Sequence, residues 1–145
     1  MIYSYEGKPI AKQRHRFFRG FAYDPQSKTK NKVIKEFAKQ FQQQGYLKPL
    51  EGAITANIDI RHQIPKSWSK KRKIAVLTGN ESYVTSKPDI DNVIKFYFDV
   101  LNKIAYHDDA QIVTLISQKK YSEDPGVTIT LISLEDDTKE IDDAK

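Results

Sequence analysis

Apolar positions along the chain follow two spacings, one near the helical period and one of two residues. From Pro25 to Gln44 the sequence contains no glycine, and Val33, Phe37 and Phe41 recur at i, i+4 and i+8 with Ile34 and Ala38 beside them. That spacing predicts an amphipathic helix closed by Gly45. Between residues 53 and 62 the spacing falls to two: Ile54, Ala56, Ile58 and Ile60 share one face, and Thr55, Asn57, Asp59 and Arg61 the other. A half-buried strand is predicted there. The helical period returns from Asp89 to Ile104, with Ile90, Val93, Ile94, Tyr97, Phe98, Leu101 and Ile104 in one stripe and Asp91, Lys95, Asp99 and Asn102 opposite them.

Shorter signals fill the gaps. Met1 to Gly7 is β-prone and closed by glycine, and predicts a first strand. Lys12 to Gly20 is basic and aromatic without sustained period and predicts a loop. Lys66 to Leu77 carries a basic run before an apolar turn, with Gly79 as a stop, and predicts a short basic helix. Gln111 to Tyr121 and Val127 to Leu134 are β-rich, and the Pro125-Gly126 pair between them predicts a hairpin. The order β-α-β-(α)-α-β-β predicts an α+β (mixed α/β) domain of two layers, a mixed sheet of about four strands covered by two main helices. Residues 1–134 form one domain on this reading, without internal repeat or long linker.

The absence of cysteine removes thiol nucleophiles, thiolate-ligated metals and a disulfide scaffold. No apolar run approaches a membrane span, and the amino-terminus lacks a signal peptide's pattern, so a cytoplasmic protein with no membrane contact is expected. The formal charge of +5 conceals an asymmetry: residues 135–145 hold six acids and two lysines, leaving the body at +9. A body of that charge suggests a polyanionic partner, the alternative being an ordinary soluble surface. The acidic tail, 135–145, is expected to be solvated and disordered.

The densest polar cluster is Lys87-Pro88-Asp89-Ile90-Asp91-Asn92-Val93-Ile94-Lys95, followed by Tyr106-His107-Asp108-Asp109-Ala110-Gln111. Pro88 suits a helix start, so Asp89 and Asp91 fall in the first turn, where negative charge is favoured. The structural alternative for each is ordinary: Asp89 caps, Asp91 pairs with Lys95, and Asp108-Asp109 is a solvated turn. Together, however, the acids exceed what one helix start needs. Clustered carboxylates are hard ligands suited to Mg²⁺, and such an ion beside a basic surface is the chemistry of phosphodiester hydrolysis.

The ordered set Lys87-Pro-Asp89-Ile-Asp91-Asn92-Val-Ile-Lys95, Phe98-Asp99-Val-Leu101-Asn102 and Asp108-Asp109-Ala-Gln111 resembles the RusA family of Holliday junction resolvases. Upstream, Gly7-Lys-Pro9, Lys12-Gln13-Arg14-His15-Arg16 and Tyr23-Asp24-Pro25 are similar to that family's basic amino-terminal segment, although many members have Arg-Pro-Arg where this chain has Arg14-His15-Arg16. The resemblance implies a homodimeric, Mg²⁺-dependent endonuclease of bacterial or phage origin, DNA-associated, that cuts four-way junctions by paired nicks in recombination and repair. Mn²⁺ would serve the same ligands, and no small-molecule cofactor is implied. By position it implies metal binding by Asp89, Asp91 and Asp109, with Asp108 the less certain of its pair, and a catalytic lysine in Lys95 at the scissile phosphate. Two other readings share the basic surface: a non-catalytic junction- or DNA-binding protein, and a general nuclease of branched DNA.

An unbroken helix from Asp91 to Ile104 spans roughly 20 Å, while the five residues on to Asp109 return at most about 17 Å. Either the helix ends or bends near Asn102, or Asp109 joins the Asp89/Asp91 pair of the other subunit. Arg14, Arg16, Arg19, Lys70, Lys71 and Arg72 are the candidate phosphate contacts. Phe17, Phe18, Tyr23 and Trp68 are candidates for base stacking, with core packing the favoured expectation for each.

Overall fold

The computed structural model describes residues 1–79 and 82–135; the acidic tail beyond Glu135 lies outside the described residues. In chain order the elements are β1 (Ile2–Glu6), β2 (Arg16–Phe18), β3 (Phe21–Tyr23), α1 (Ser27–Gln43), β4 (Ile54–Gln63), α2 (Lys70–Leu77), α3 (Ile90–Leu101), a 3₁₀ turn (Asp109–Gln111), β5 (Ile112–Ser122) and β6 (Gly126–Ser133). The architecture is the expected two-layer α+β arrangement: a mixed four-stranded sheet in the order β1-β6-β4-β5, with β2 and β3 forming a separate two-stranded ribbon.

The core lies between one face of the sheet and helices α1 and α3. The alternation in β4 puts Ile54, Ala56, Ile58 and Ile60 fully inside, beside Val127, Ile129 and Leu131 of β6 and Tyr3 of β1. From the helix layer come Val33 and Phe37 of α1 and Val93, Phe96, Tyr97, Val100 and Leu101 of α3. The α3 stripe is thus wider than the sequence spacing predicts, because Phe96 and Val100 are buried as well. Phe37 links the layers, its ring centroid 5.3 Å from that of Tyr3 and 6.2 Å from that of Tyr97.

Three expectations are corrected. First, β5 and β6 do not form a hairpin: β4 lies between them, parallel to β5 and antiparallel to β6. The Pro-Gly pair reverses the chain, but β4, with its continuous apolar face, takes partners on both edges, so the reversal crosses over its end. Arg61 Nε donates to the Asp124 carbonyl there at 3.2 Å. Gly126 fits that crossing because a Cβ would lie 2.5 Å from the Tyr5 carbonyl oxygen. Second, α3 ends at Leu101, short of Ile104, since Asn102 leaves the helix at ψ 128° and Lys103 turns left-handed at φ 68°. Third, the basic aromatic segment expected as loop contains the β2–β3 ribbon, with Phe18 opposite Phe21 and Arg16 opposite Tyr23.

The two sheet edges differ. On β1, the Gln40 amide accepts from Ser4 N–H and donates to Ser4 C=O, both at 2.8 Å, and Gln44 accepts from Ile2 N–H at 2.7 Å. These side chains, from α1 and the residue that caps it, occupy the edge as a neighbouring strand would. On β5, Ser82–Val84 bonds to the far end through Val84 N to Lys119 O and Tyr121 N to Ser82 O. The near end leaves Val113, Leu115 and Ile116 exposed.

Because Phe37 is fully buried between Tyr3 and Tyr97, Phe37→Ala is expected to cost about 3–5 kcal/mol of unfolding free energy. Ile116→Ala, on the exposed edge, should cost less than about 0.5 kcal/mol. Urea denaturation of the two variants checks the contrast.

Candidate active site

Asp89 is the N-cap residue of α3, with φ −66° and ψ 141°. An N-cap carboxylate ordinarily accepts a hydrogen bond from a free N–H of the first turn. The Asp89 side chain makes no such bond; it accepts instead from Lys87 Nζ at 2.8 Å. That hydrogen bond and the Lys87 charge hold its carboxyl below the usual carboxylate range, helped by the charge of Lys119. The approach to the helix is held from the sheet, where Lys119 of β5 donates to the carbonyl oxygens of Ser86 and Pro88 at 2.8 Å each. One turn on, Lys95 Nζ lies 4.0 Å from Asp91 Oδ2, with side chains 63% and 65% exposed. An ion pair so open contributes little to stability, so both groups remain free to meet a ligand.

The second acidic group sits beyond the other end of α3. Asp108 holds its own turn together. Its carboxylate accepts from Ala110 N–H at 3.1 Å, while Gln111 Oε1 accepts from the N–H groups of His107 and Asp108, completing a capping box on the 3₁₀ turn. Asp109 has none of these bonds on its side chain. Its backbone N–H donates to Asn102 Oδ1 at 3.1 Å, which pins it to the end of α3. Its hydrogen bond to Asp108, partial burial and the charges of Asp108 and Asp99 push its carboxyl above the usual range. Asp108 moves the other way, lowered first by the Ala110 N–H.

The structure therefore brings Asp89, Asp91 and Lys95 to one end of α3 and places Asp108 and Asp109 at the other. Asp109 is fixed beside Asn102, which lies roughly 16 Å along the helical path from Asp91. Among the described residues no group of three or more His, Asp or Glu side chains is placed to hold a metal ion. The helix does end near Asn102, yet that alone does not unite the three acids.

Arg14, Arg16, Arg19, Lys70, Lys71 and Arg72 are all exposed. The first three follow a segment tied to α3: Lys12 N–H donates to Asn92 C=O at 2.9 Å, and Lys12 Nζ meets Asp99 at 2.6 Å. The other three lie on α2, where the Arg72 guanidinium stacks 3.6 Å over the Trp68 ring and Trp68 packs edge-on against Tyr121. Core packing is corrected for Phe17, Phe18 and Tyr23, which are exposed.

Exposed carboxylates at a helix start can offer oxygen donors to a hard cation, and the lysine one turn away and the basic side chains can offer positive charge to an anion such as a phosphodiester. Residues 6–132 match the family model described as Endodeoxyribonuclease RusA. The chain belongs to the RusA endodeoxyribonuclease family. A Bacillus subtilis (strain 168) relative, "Uncharacterized protein YqaN", is 32% identical over 129 residues, covering 86% of this chain and 90% of that one. As a RusA-family protein the chain is a DNA-cleaving hydrolase of a family that acts on Holliday junctions. No helix among its described residues is long and apolar enough to cross a membrane.

Two residues that hold the loops carrying the candidate acids were given no such role from the sequence. Asn102 could have been noticed, because it shares the polar face with Asp91, Lys95 and Asp99. Lys119 could not, since nothing in a β-rich run marks one lysine as the support of a loop more than thirty residues earlier. In the metal-free protein, Asp109 should titrate above an ordinary aspartate. Asp108→Asn removes the shared proton and the like charge, so the Asp109 midpoint should move to lower pH, as read by carboxyl ¹³C NMR. An unchanged midpoint would contradict the assigned cause.

Proposed function

We propose that this chain is a structure-selective endodeoxyribonuclease that resolves four-way DNA junctions by paired, symmetric nicks, acting as a homodimer with Mg²⁺. The observation that carries the reading is the Asp89 carboxylate, which occupies an N-cap position without capping and stands beside exposed Asp91 and Lys95. Hard, exposed oxygen donors fit a Mg²⁺ ion, which binds through one or two carboxylates and substrate phosphate. Asp89 and Asp91 of one subunit and Asp109 of the partner subunit would hold it. The divalent ion, when bound, supplies a hydroxide-like nucleophile at neutral pH and neutralises the leaving oxygen.

The chain's own groups do the rest. The Lys95 ammonium meets the scissile phosphate and the charge that develops on it. Asn102 fixes Asp109, Asp108 holds the turn that carries it, and Lys119 holds the loop that carries Asp89. Arg14, Arg16, Arg19, Lys70, Lys71 and Arg72 neutralise flanking phosphates. Dimerisation is supported by the separation of the acids within one chain and by the open near end of β5, which follows directly on Asp109. Two copies joined there present two symmetry-related sites to two symmetry-related strands.

A synthetic four-way junction and a matched linear duplex, each incubated with Mg²⁺ or with chelator, test the reading. Wild-type protein should make paired nicks in the junction alone. Chelation should abolish them, and Asp91→Asn should slow them by at least about 10²-fold while leaving binding intact or tighter. Binding without cleavage in any divalent metal would favour a non-catalytic binder, and equal cutting of linear DNA a general nuclease.

A further inference from the structure

Folding leaves an aromatic patch on the β2–β3 ribbon uncovered. Phe17, Phe18, Phe21 and Tyr23 are 78%, 66%, 77% and 45% exposed, and none packs against the core. Directly opposed residues of an antiparallel pair share a face. The pairings Phe18 with Phe21 and Arg16 with Tyr23 therefore gather three rings and one guanidinium on a single side. Arg19 at the turn adds a second guanidinium, 5.3 Å over the Phe18 ring. Phe18, Arg19, Phe21 and Tyr23 line an open apolar recess of about 470 Å³.

Charge and position identify what covers this surface. From Lys8 to Tyr23 the chain has five bases and no acid, Asp24 being the first acid after the rings, so bases predominate in the sequence around them. Rings interleaved with arginine match the two chemistries of a nucleic-acid strand, stacking faces and phosphates. The ribbon also lies within chain reach of the start of α3. Lys12 N–H is bonded to Asn92 C=O, next to Asp91, and Gln13 N–H to Gln26 Oε1, both at 2.9 Å. Three residues further, a reach of about 10 Å, the ribbon begins at Arg16. Trp68 offers no such surface, because Arg72 and Tyr121 already pack on its ring.

We infer that the β2–β3 ribbon stacks its Phe18, Phe21 and Tyr23 face on nucleobases unstacked at the branch point, next to the strand held at Asp89 and Asp91. This rests on the branched-DNA reading above and adds the element that tells a branch from continuous duplex. In duplex DNA the bases are already stacked on one another, so the ribbon meets only the backbone; at a branch, exposed bases complete it.

The test uses full-length protein carrying Asp91→Asn, with and without Phe18→Ala/Phe21→Ala, on four-way junctions with 2-aminopurine at the branch point and on matched duplex. The rings are exposed, so the variants should retain the parent's melting temperature. Removing both should weaken junction binding by about ten-fold or more and duplex binding by less than about three-fold, and should abolish the quenching of 2-aminopurine that the parent causes by stacking on it. Phe18→Trp/Phe21→Trp should restore both. Equal loss on junction and duplex, or quenching that persists, would overturn the inference while leaving the nuclease reading in place. So would a fall from dimer to monomer by analytical ultracentrifugation in the alanine variant, which would make a second copy of the chain the occupant. A parent that fails to distinguish junction from duplex would overturn both the reading and the inference.

Discussion

The docking of α3 on the sheet is the constraint on which the site depends. One side of this twelve-residue helix is buried through Val93, Phe96, Tyr97, Val100 and Leu101. Those side chains fix its rotation, so Asp91, Lys95, Asp99 and Asn102 must face outward along its length. Burying a large apolar side chain is worth roughly 1.5–3 kcal/mol, which makes rolling the helix to regroup its acids far more costly than any exposed ion pair could offset. The rod therefore sets the spacing of everything attached to it. Asp89 and Asp91 are held at its start, and Asp109 is tied to its end by Asn102.

The polar contacts around that rod divide the labour between holding and leaving free. Lys119 and Asn102 bond to backbone groups and fix loops; Asp108 is committed to its own turn. Asp91 and Lys95 are joined only by a long, exposed pair, and Asp89 forgoes the capping bond its position permits. The proposed ligand-facing groups Asp89, Asp91 and Lys95 are thus held by exposed ion pairs alone.

The layers, the order of elements and the start of α3 were legible in the sequence because each rests on local signals: period, a proline at Pro88, carboxylates in the first turn. The end of α3 carries no such local signal, because Asn102-Lys103 takes a left-handed turn without a glycine to mark it; only the reach needed to return to Asp109 pointed to a stop near Asn102. The β5–β6 crossover was hidden for a different reason. Turn residues encode reversal, whereas the competition of strands for the centre of the sheet decides which become neighbours. The β2–β3 ribbon escaped because its three-residue strands are too short to show a period. The Phe17, Phe18 and Tyr23 rings favoured core packing by residue type alone, and the fold puts them outside. At Asp89, Asp91, Lys95 and Asp109 the motif indicated the acids and the lysine, while their separation into two groups emerged only from the packing of α3.

That separation leads to the central claim, that a complete site takes Asp89 and Asp91 from one chain and Asp109 from another. Isolated heterodimers of one Asp91→Asn chain and one Asp109→Asn chain test it directly on a four-way junction with Mg²⁺. A shared site predicts one fully mutated and one fully intact centre in each heterodimer, hence recovery of single nicks that neither mutant homodimer makes. Heterodimers as inactive as the two homodimers would mean that each chain builds its site alone, and would contradict the account.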